Sequence, residues 1–372
     1  MSKIKGYNYT KIFTDHLNSN KKNVFNGELI YPRQMEIHLP ADRKIACNFK
    51  CNYCQGGSVS HLLDNWEPNA LSVLDIVGNQ IPFHIFGGVY TEPLMNEYLP
   101  DFIDLTTRHG INFGIHTNGS LFTKLEDDIK FCSQLIKAAK SESDYISVSL
   151  DGASPKSHSF IKNVKEDFFT RIMQGIKLLC DIRGKNKFPK IRVTYLMQKK
   201  NSDPVELEQL VNDLKSYGVD SLRFSVPYAH YGKSHEKVKE YKKKFEDKFG
   251  PKAHNIIKKF ISKKGDKTNI FWFGAENQDV TRMNFKQCIY SYYQITFAAD
   301  GYVYKCSSTA APEFSHTRLG KVPSTVPEFD DLVLKNHDKL FNATNCWING
   351  ARCNRIALEI NDQWRNNDLF SG

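Results

Sequence analysis

The sequence predicts an α/β protein: a parallel sheet curled into a partial (β/α)6 barrel, followed by a small C-terminal domain containing a β-hairpin and a helix. Three observations predict it. Six short runs, at 34–39, 83–86, 112–116, 145–150, 190–197 and 221–226, read as strands. Helical stretches at 95–109, 124–140, 166–183 and 204–217 alternate with them, and that alternation implies parallel pairing through right-handed crossovers. Turn residues Gly87-Gly88, Asn118-Gly119 and Asp151-Gly152 close the second, third and fourth runs, at the sheet edge where such folds gather their chemistry.

Taken in order, residues 1–33 are polar and read as an N-terminal extension. Residues 34–230 form the barrel unit, its first strand running into a cysteine-rich loop. Residues 231–280 read as a Lys-rich helical connector. Residues 281–372 make a closing domain, with a hairpin over 294–306 that turns at Ala299-Asp300-Gly301 and a last stretch of about 25 residues read mostly as helix. A length of 372 residues suits two domains, or one large barrel with an appendage.

Composition excludes several classes. A charged fraction of 25% and an aromatic fraction of 12% are those of a globular chain, not a disordered one. No apolar run approaches the roughly 20 residues of a spanning helix, so no membrane role is expected. The start lacks a secretory apolar stretch, and a reducing cytoplasmic location suits free thiols. The net charge of +10 raises the question of a nucleic-acid partner. Residues 233–267 hold thirteen lysines against five acidic residues, so eight of those ten charges sit there. Val238, Tyr241, Phe245 and Phe249 recur at helical spacing within it, which reads as an amphipathic helix with a solvated lysine face. It has no arginine forks, so a nucleic-acid partner is not expected; attraction of an acidic peptide or phosphorylated substrate is the second reading of this stretch.

Nine cysteines without a signal peptide argue against a disulfide framework. Cys47, Cys51 and Cys54 lie within eight residues, separated by three and then two. Three thiolates on one loop can cap three corners of a cubane and leave the fourth iron open; half of a zinc site completed from elsewhere is the other reading. The spacing, with aromatic Tyr53 before the third cysteine and a strand before the loop, resembles the radical S-adenosylmethionine (radical SAM) superfamily. Phe86-Gly87-Gly88-Val-Tyr-Thr-Glu92-Pro93 is similar to that family's Gly-Gly-Glu-Pro motif, with Val89, Tyr90 and Thr91 intervening. His116-Thr117-Asn118-Gly119 and Ser147-Val-Ser149-Leu-Asp151-Gly152 resemble segments that close its SAM pocket.

The resemblance implies a TIM-like barrel. It also implies a 4Fe–4S cluster on the three cysteines and SAM contacts from Gly87, Gly88, Glu92, Asn118 and Ser149. The chemistry implied is reductive cleavage of SAM to a 5′-deoxyadenosyl radical that takes hydrogen from a substrate, with flavodoxin or ferredoxin as electron donor.

Cys288, Cys306, Cys346 and Cys353 form a second group, seventeen residues separating the first two across the hairpin. With Ala-Asp-Gly-Tyr-Val-Tyr-Lys-Cys and Leu319-Gly320-Lys321-Val322, it resembles the SPASM and twitch domains that carry an auxiliary 4Fe–4S cluster. Structural zinc is the competing reading. An auxiliary cluster points to an oxidative reaction on a small sugar- or cyclitol-like metabolite or on a ribosomal peptide. Cys132 and Cys180, at helical apolar spacing, read as buried thiols; a hydrogen-atom donor, as in an epimerase, is the alternative. His84, His116 and Tyr90 lie near strand ends, where packing competes with substrate contact, and Asp300 takes no assigned role. No catalytic side chain is assigned. A zinc-stabilised RNA-binding protein is the reading from another class.

Overall fold

The computed structural model describes residues 9–42, 44–54, 65–88, 90–123, 125–227, 243, 248–263, 265–273 and 288–337. Its centre is a ten-stranded sheet. Strands β1 (Gln34–Ile37), β2 (Phe83–Phe86), β3 (Asn112–Thr117), β4 (Tyr145–Ser149), β5 (Lys190–Leu196), β6 (Ser221–Ser225) and β7 (Asn269–Trp272) lie side by side in chain order, all parallel. On the other side of β1, strand β8 (Gln294–Phe297) also pairs parallel, Gln34 opposite Gln294. Strands β9 (Tyr302–Tyr304) and β10 (Arg318–Lys321) continue from β8 antiparallel. The six expected strands are present, but the sheet is larger than six. The hairpin turns where expected, with Gly301 at φ 78, and joins the same sheet.

Helices α3 (Glu67–Val77), α4 (Leu99–His109), α5 (Glu126–Ala138), α6 (Pro155–Lys162), α7 (Asp167–Arg183) and α8 (Pro204–Tyr217) follow the strands and pack largely neighbour to neighbour. Alternation fixes the face they cover. Ile115, Ile146, Val148, Val193, Tyr195, Leu222 and Phe224 are wholly buried beneath them, as side chains two residues apart must share one face. Cys132 and Cys180 lie in that core.

The polar N-terminal stretch holds two helices, α1 (Tyr9–Ser19) and α2 (Lys21–Asn26). Phe13 and Leu17 are fully buried, Phe13 stacks on Tyr293 at 4.8 Å, and His16 Nε2 lies 3.1 Å from the Tyr292 carbonyl. In the connector, α9 (Gly250–Ile257) and β7 are described. Most of the lysine-faced helix, including Val238, Tyr241 and Phe245, lies outside the described residues, as do Cys346, Cys353 and the closing helical stretch. A last described helix, α10 (Val326–Asn336), packs against β10 and α3. Among the described residues no helix is long and apolar enough to cross a membrane.

Candidate active site

The cysteine loop leaves the carboxyl end of β1. Its approach is fixed by a tight turn: the Asp42 carboxylate accepts from the amides of Lys44 and Ile45 at 2.6 and 2.8 Å, and the Ala41 amide donates to the Ala46 carbonyl at 2.9 Å. Cys47, Cys51 and Cys54 are then presented half-buried. The Cys47 sulfur accepts the Phe49 amide at 3.4 Å, and the Cys54 amide bonds the Cys51 carbonyl at 3.0 Å. Burial pushes the Cys47 thiol up to about 12, and nearby Glu92, Cys51 and Cys54 add to that rise. Burial likewise raises Cys51, opposed by the Lys162 ammonium. The thiols therefore feel one another's charge.

Two brackets hold this loop. In the first, Glu92 is buried at the loop after β2. Its carboxylate accepts from Thr117 Oγ1 at 2.5 Å, the Asn118 amide at 2.7 Å and the Leu94 amide at 3.3 Å. Burial pushes its pKa up to about 7, against the pull of those donors. Its own amide donates to the Ala46 carbonyl at 3.0 Å. Asn118 then reaches the loop directly: its side-chain Nδ2 donates to Asn48 Oδ1 at 2.8 Å and lies 3.9 Å from the Cys47 sulfur. Gly87 and Gly88 open the same segment. A Cβ on Gly87, whose φ is +99, would sit 2.3 Å from the His116 carbonyl oxygen, and one on Gly88 would sit 2.1 Å from His38 Nε2, so no side chain fits there. Of the residues that lengthen the motif, Tyr90 has a structural task. The Tyr90 hydroxyl donates to the Ala310 carbonyl at 2.6 Å, and its ring packs with Ala46, Ala299 and Cys54, tying the segment to the hairpin.

The second bracket was not anticipated from the sequence. Lys162, at the end of α6, is almost entirely buried and donates to Asp151 Oδ2 at 2.7 Å, Tyr53 Oη at 2.8 Å and Ser149 Oγ at 3.0 Å. The Tyr53 hydroxyl also bonds Asp151, and Asp151 Oδ1 accepts the Leu196 amide at 2.6 Å. Burial works against the Asp151 carboxylate, but the Lys162 ammonium overrides it and holds that acid below its usual value. No residue-type signal marks Lys162, since lysines normally stay at the surface; only its distance from Asp151 once α6 is formed gives it away.

The structure thus brings Cys47, Cys51, Cys54, Gly87, Gly88, Glu92, Asn118 and Ser149 to one end of the sheet. The Glu92 carboxylate is spent on protein donors. Cys288 and Cys306 stand apart from that end: Cys288 precedes β8, and the antiparallel register carries β9 back so that Cys306 follows it toward the same amino-terminal edge. Four-residue strands, about 10 Å of rise, lie between this edge and the start of the cysteine loop. Cys288 is raised by burial and opposed by Lys305. His84 points among the helices, fully buried, and so does not face the site. His116 faces the opposite side of the sheet. Asp300 pairs with Arg318 at 2.8 Å and accepts from Tyr304 at 2.7 Å within the hairpin.

Among the described residues no set of three or more His, Cys, Asp and Glu side chains is gathered around a point that one metal ion would fill. Three thiols on one loop are the donor set that three corners of an iron–sulfur cluster require.

These features define a parallel α/β protein with a three-thiol loop at the carboxyl edge of its sheet. Residues 45–211 match the Radical SAM superfamily model. GTP 3′,8-cyclase of Helicobacter pylori (strain HPAG1) is 30% identical over 169 residues, 43% of this chain and 46% of that protein, so the match spans under half of the curated relative. Among solved structures, Streptococcus suis SuiB bound to precursor peptide SuiA superposes with a TM-score of 0.57 at 14% identity, over 92% of this chain and 72% of that one. SuiB bound to S-adenosylmethionine gives 0.52 at 13% identity over 78% and 63%. The anSMEcpe protein with bound AdoMet gives 0.51 at 17% identity over 84% and 83%. The sequence similarity thus lies within residues 45–211, and the solved structures share the fold.

Proposed function

We propose that the chain is a radical SAM enzyme in which Cys47, Cys51 and Cys54 hold a 4Fe–4S cluster and SAM binds beside it. The observation that carries this reading is the donor set itself, three thiols on one loop braced from two sides by Glu92 with Asn118 and by Lys162 with Asp151. When bound, the cluster and SAM supply 5′-deoxyadenosyl radical chemistry that removes hydrogen from a C–H bond. The chain's own residues prepare that site. Gly87 and Gly88 let the segment after β2 close against the His116 carbonyl and the His38 ring, Asn118 steadies Cys47, and the Ser149 hydroxyl at the rim is held between Lys162 and Asp151. The buried Lys162–Asp151 pair locks Tyr53, which fixes the middle of the loop.

A second 4Fe–4S cluster is assigned to Cys288, Cys306, Cys346 and Cys353 in a twitch-like region over 281–372, beyond a partial barrel over 34–230; such a cluster suits an oxidative outcome. The substrate is a small biosynthetic metabolite or a ribosomal peptide, and the SuiB structure with its precursor peptide favours keeping the peptide reading. An electron donor such as flavodoxin or ferredoxin and a cytoplasmic setting belong to the same proposal. Anaerobic reconstitution followed by dithionite reduction with SAM tests it. Release of 5′-deoxyadenosine, abolished by replacing Cys47, Cys51 and Cys54 together with alanine, is the expected result. Colourless protein that holds zinc and leaves SAM intact would instead favour the RNA-binding reading.

A further inference from the structure

The sheet face turned away from the helices carries side chains that the proposed cofactor site does not use. Ile191, Val193 and Tyr195 of β5 and Leu222 and Phe224 of β6 are buried among the helices, so Arg192, Thr194 and Arg223 project from the other face. His116 of β3 and Tyr145 of β4 project there as well. Parallel sheets are ordinarily covered on both faces and apolar on both. Here the second face presents half-buried Arg192, Arg223 and His116 beside the apolar cluster of Phe83, Ile85 and Tyr145.

These groups converge. The Arg192 guanidinium lies 4.0 Å from the centre of the Tyr145 ring, and the Tyr145 hydroxyl lies 2.9 Å from His116 Nε2. Burial lowers His116 to about 4; Glu36 opposes the shift, while Arg223, Arg192 and His38 add to it. Glu36 is the acid among them, and it lies 3.3 Å from His38 Nε2. Arg223 has donor capacity to spare: its Nε is buried without a hydrogen-bond partner, and its guanidinium sits 5.6 Å from the Phe273 ring. Ser225 Oγ, two residues along the same face, is also buried and unpartnered. A buried donor left in this state is destabilising, and a ligand acceptor would relieve it.

Strand register sets the height of these groups. Ser149 pairs with Thr194, and Thr194 pairs with Arg223, so Arg223 stands level with Ser149 two strands away. Arg192 is level with Ser147, one layer deeper.

We propose that Arg223 and Arg192 form an anion-binding subsite of the substrate pocket, and that the substrate carries a carboxylate or phosphate group docking there beside the Ser149 rim. A guanidinium fork suits both anions. The assignment to a substrate rests on the radical SAM reading; the anion subsite itself rests on the sheet face.

The full chain, prepared anaerobically, is titrated calorimetrically with inorganic phosphate and separately with succinate at fixed ionic strength. Iron content and SAM cleavage are measured on the same preparation. Saturable one-to-one binding of at least one anion is expected, weakened at least ~10-fold by Arg223→Gln and less by Arg223→Lys. Arg108→Gln, which removes an exposed guanidinium paired with Asp75, should leave binding as it was. Preference for phosphate would mark a phosphorylated substrate, and preference for succinate a carboxylate. If wild-type protein binds neither anion, or Arg223→Gln and Arg192→Gln bind as tightly as wild type, the subsite is overturned. Protein that cleaves SAM yet binds neither anion overturns the subsite alone. Arg223-dependent anion binding by protein without iron or SAM cleavage overturns the radical reading alone.

Discussion

Lys162 and Asp151 form an ion pair that is 2% and 0% exposed, so neither charge can be lost singly without leaving the other buried and uncompensated. Lys162→Met should therefore destabilise the protein by ~3–5 kcal/mol in urea unfolding. Lys162→Met combined with Asp151→Asn should recover part of that loss, because the stranded carboxylate is gone. Strictly additive effects of the two changes would mean that the pair is not coupled as the geometry requires. His84 poses the opposite problem, a ring with both nitrogens buried and without hydrogen-bond partners. Burial lowers it from 6.5 to about 3. The unfolded chain takes up this proton below about pH 6.5, while the folded chain resists until about pH 3. The stabilisation is thus complete above pH 6.5 and drains as the pH falls. His84→Leu should flatten the stability profile by about 2 kcal/mol between about pH 6.5 and pH 5. A profile as steep as that of wild type would show that His84 protonates freely in the fold.

Among the elements, those with local signals were legible in advance. Helix α8 announces itself: Asp203 accepts from the Val205 and Glu206 amides, Pro204 opens the first turn, and Gly218 closes the helix at φ 85. Strand β5 is legible from its alternation, buried and half-buried side chains in strict turn. Helix α1 was hidden because its stability is tertiary. Phe13 and Leu17 mark one face, but the partner that buries Phe13, Tyr293, lies some 280 residues away in the chain. Strand β8 was legible as half of a hairpin, whereas its parallel pairing with β1 depends on a long-range contact that no turn signal encodes. The same limit explains the site. Cysteine spacing identified the loop and turn residues located the neighbouring segments, yet the Lys162 brace and the inward arginines become functional only when α6 and the strand register place them.

For the whole molecule, the consequence of this topology is that, among the described cysteines, Cys47, Cys51 and Cys54 follow the carboxyl end of β1 while Cys288 precedes the amino end of its parallel neighbour β8. If each group holds its own 4Fe–4S cluster, iron should partition independently between them. Reconstituted wild-type protein should carry about eight iron per chain, and the Cys47/Cys51/Cys54 alanine variant about four. Cys288→Ala with Cys306→Ala should also leave about four, because the brackets around the first loop, Glu92 to Asn118 and Lys162 to Asp151, include neither of those residues. Metal analysis beside the absorption spectrum of each variant checks the partition. A wild-type total of about four iron with one zinc would replace the second cluster with a structural ion. Loss of all iron from the Cys288/Cys306 variant would show that the two ends of the sheet do not act separately, contrary to the geometry that divides them.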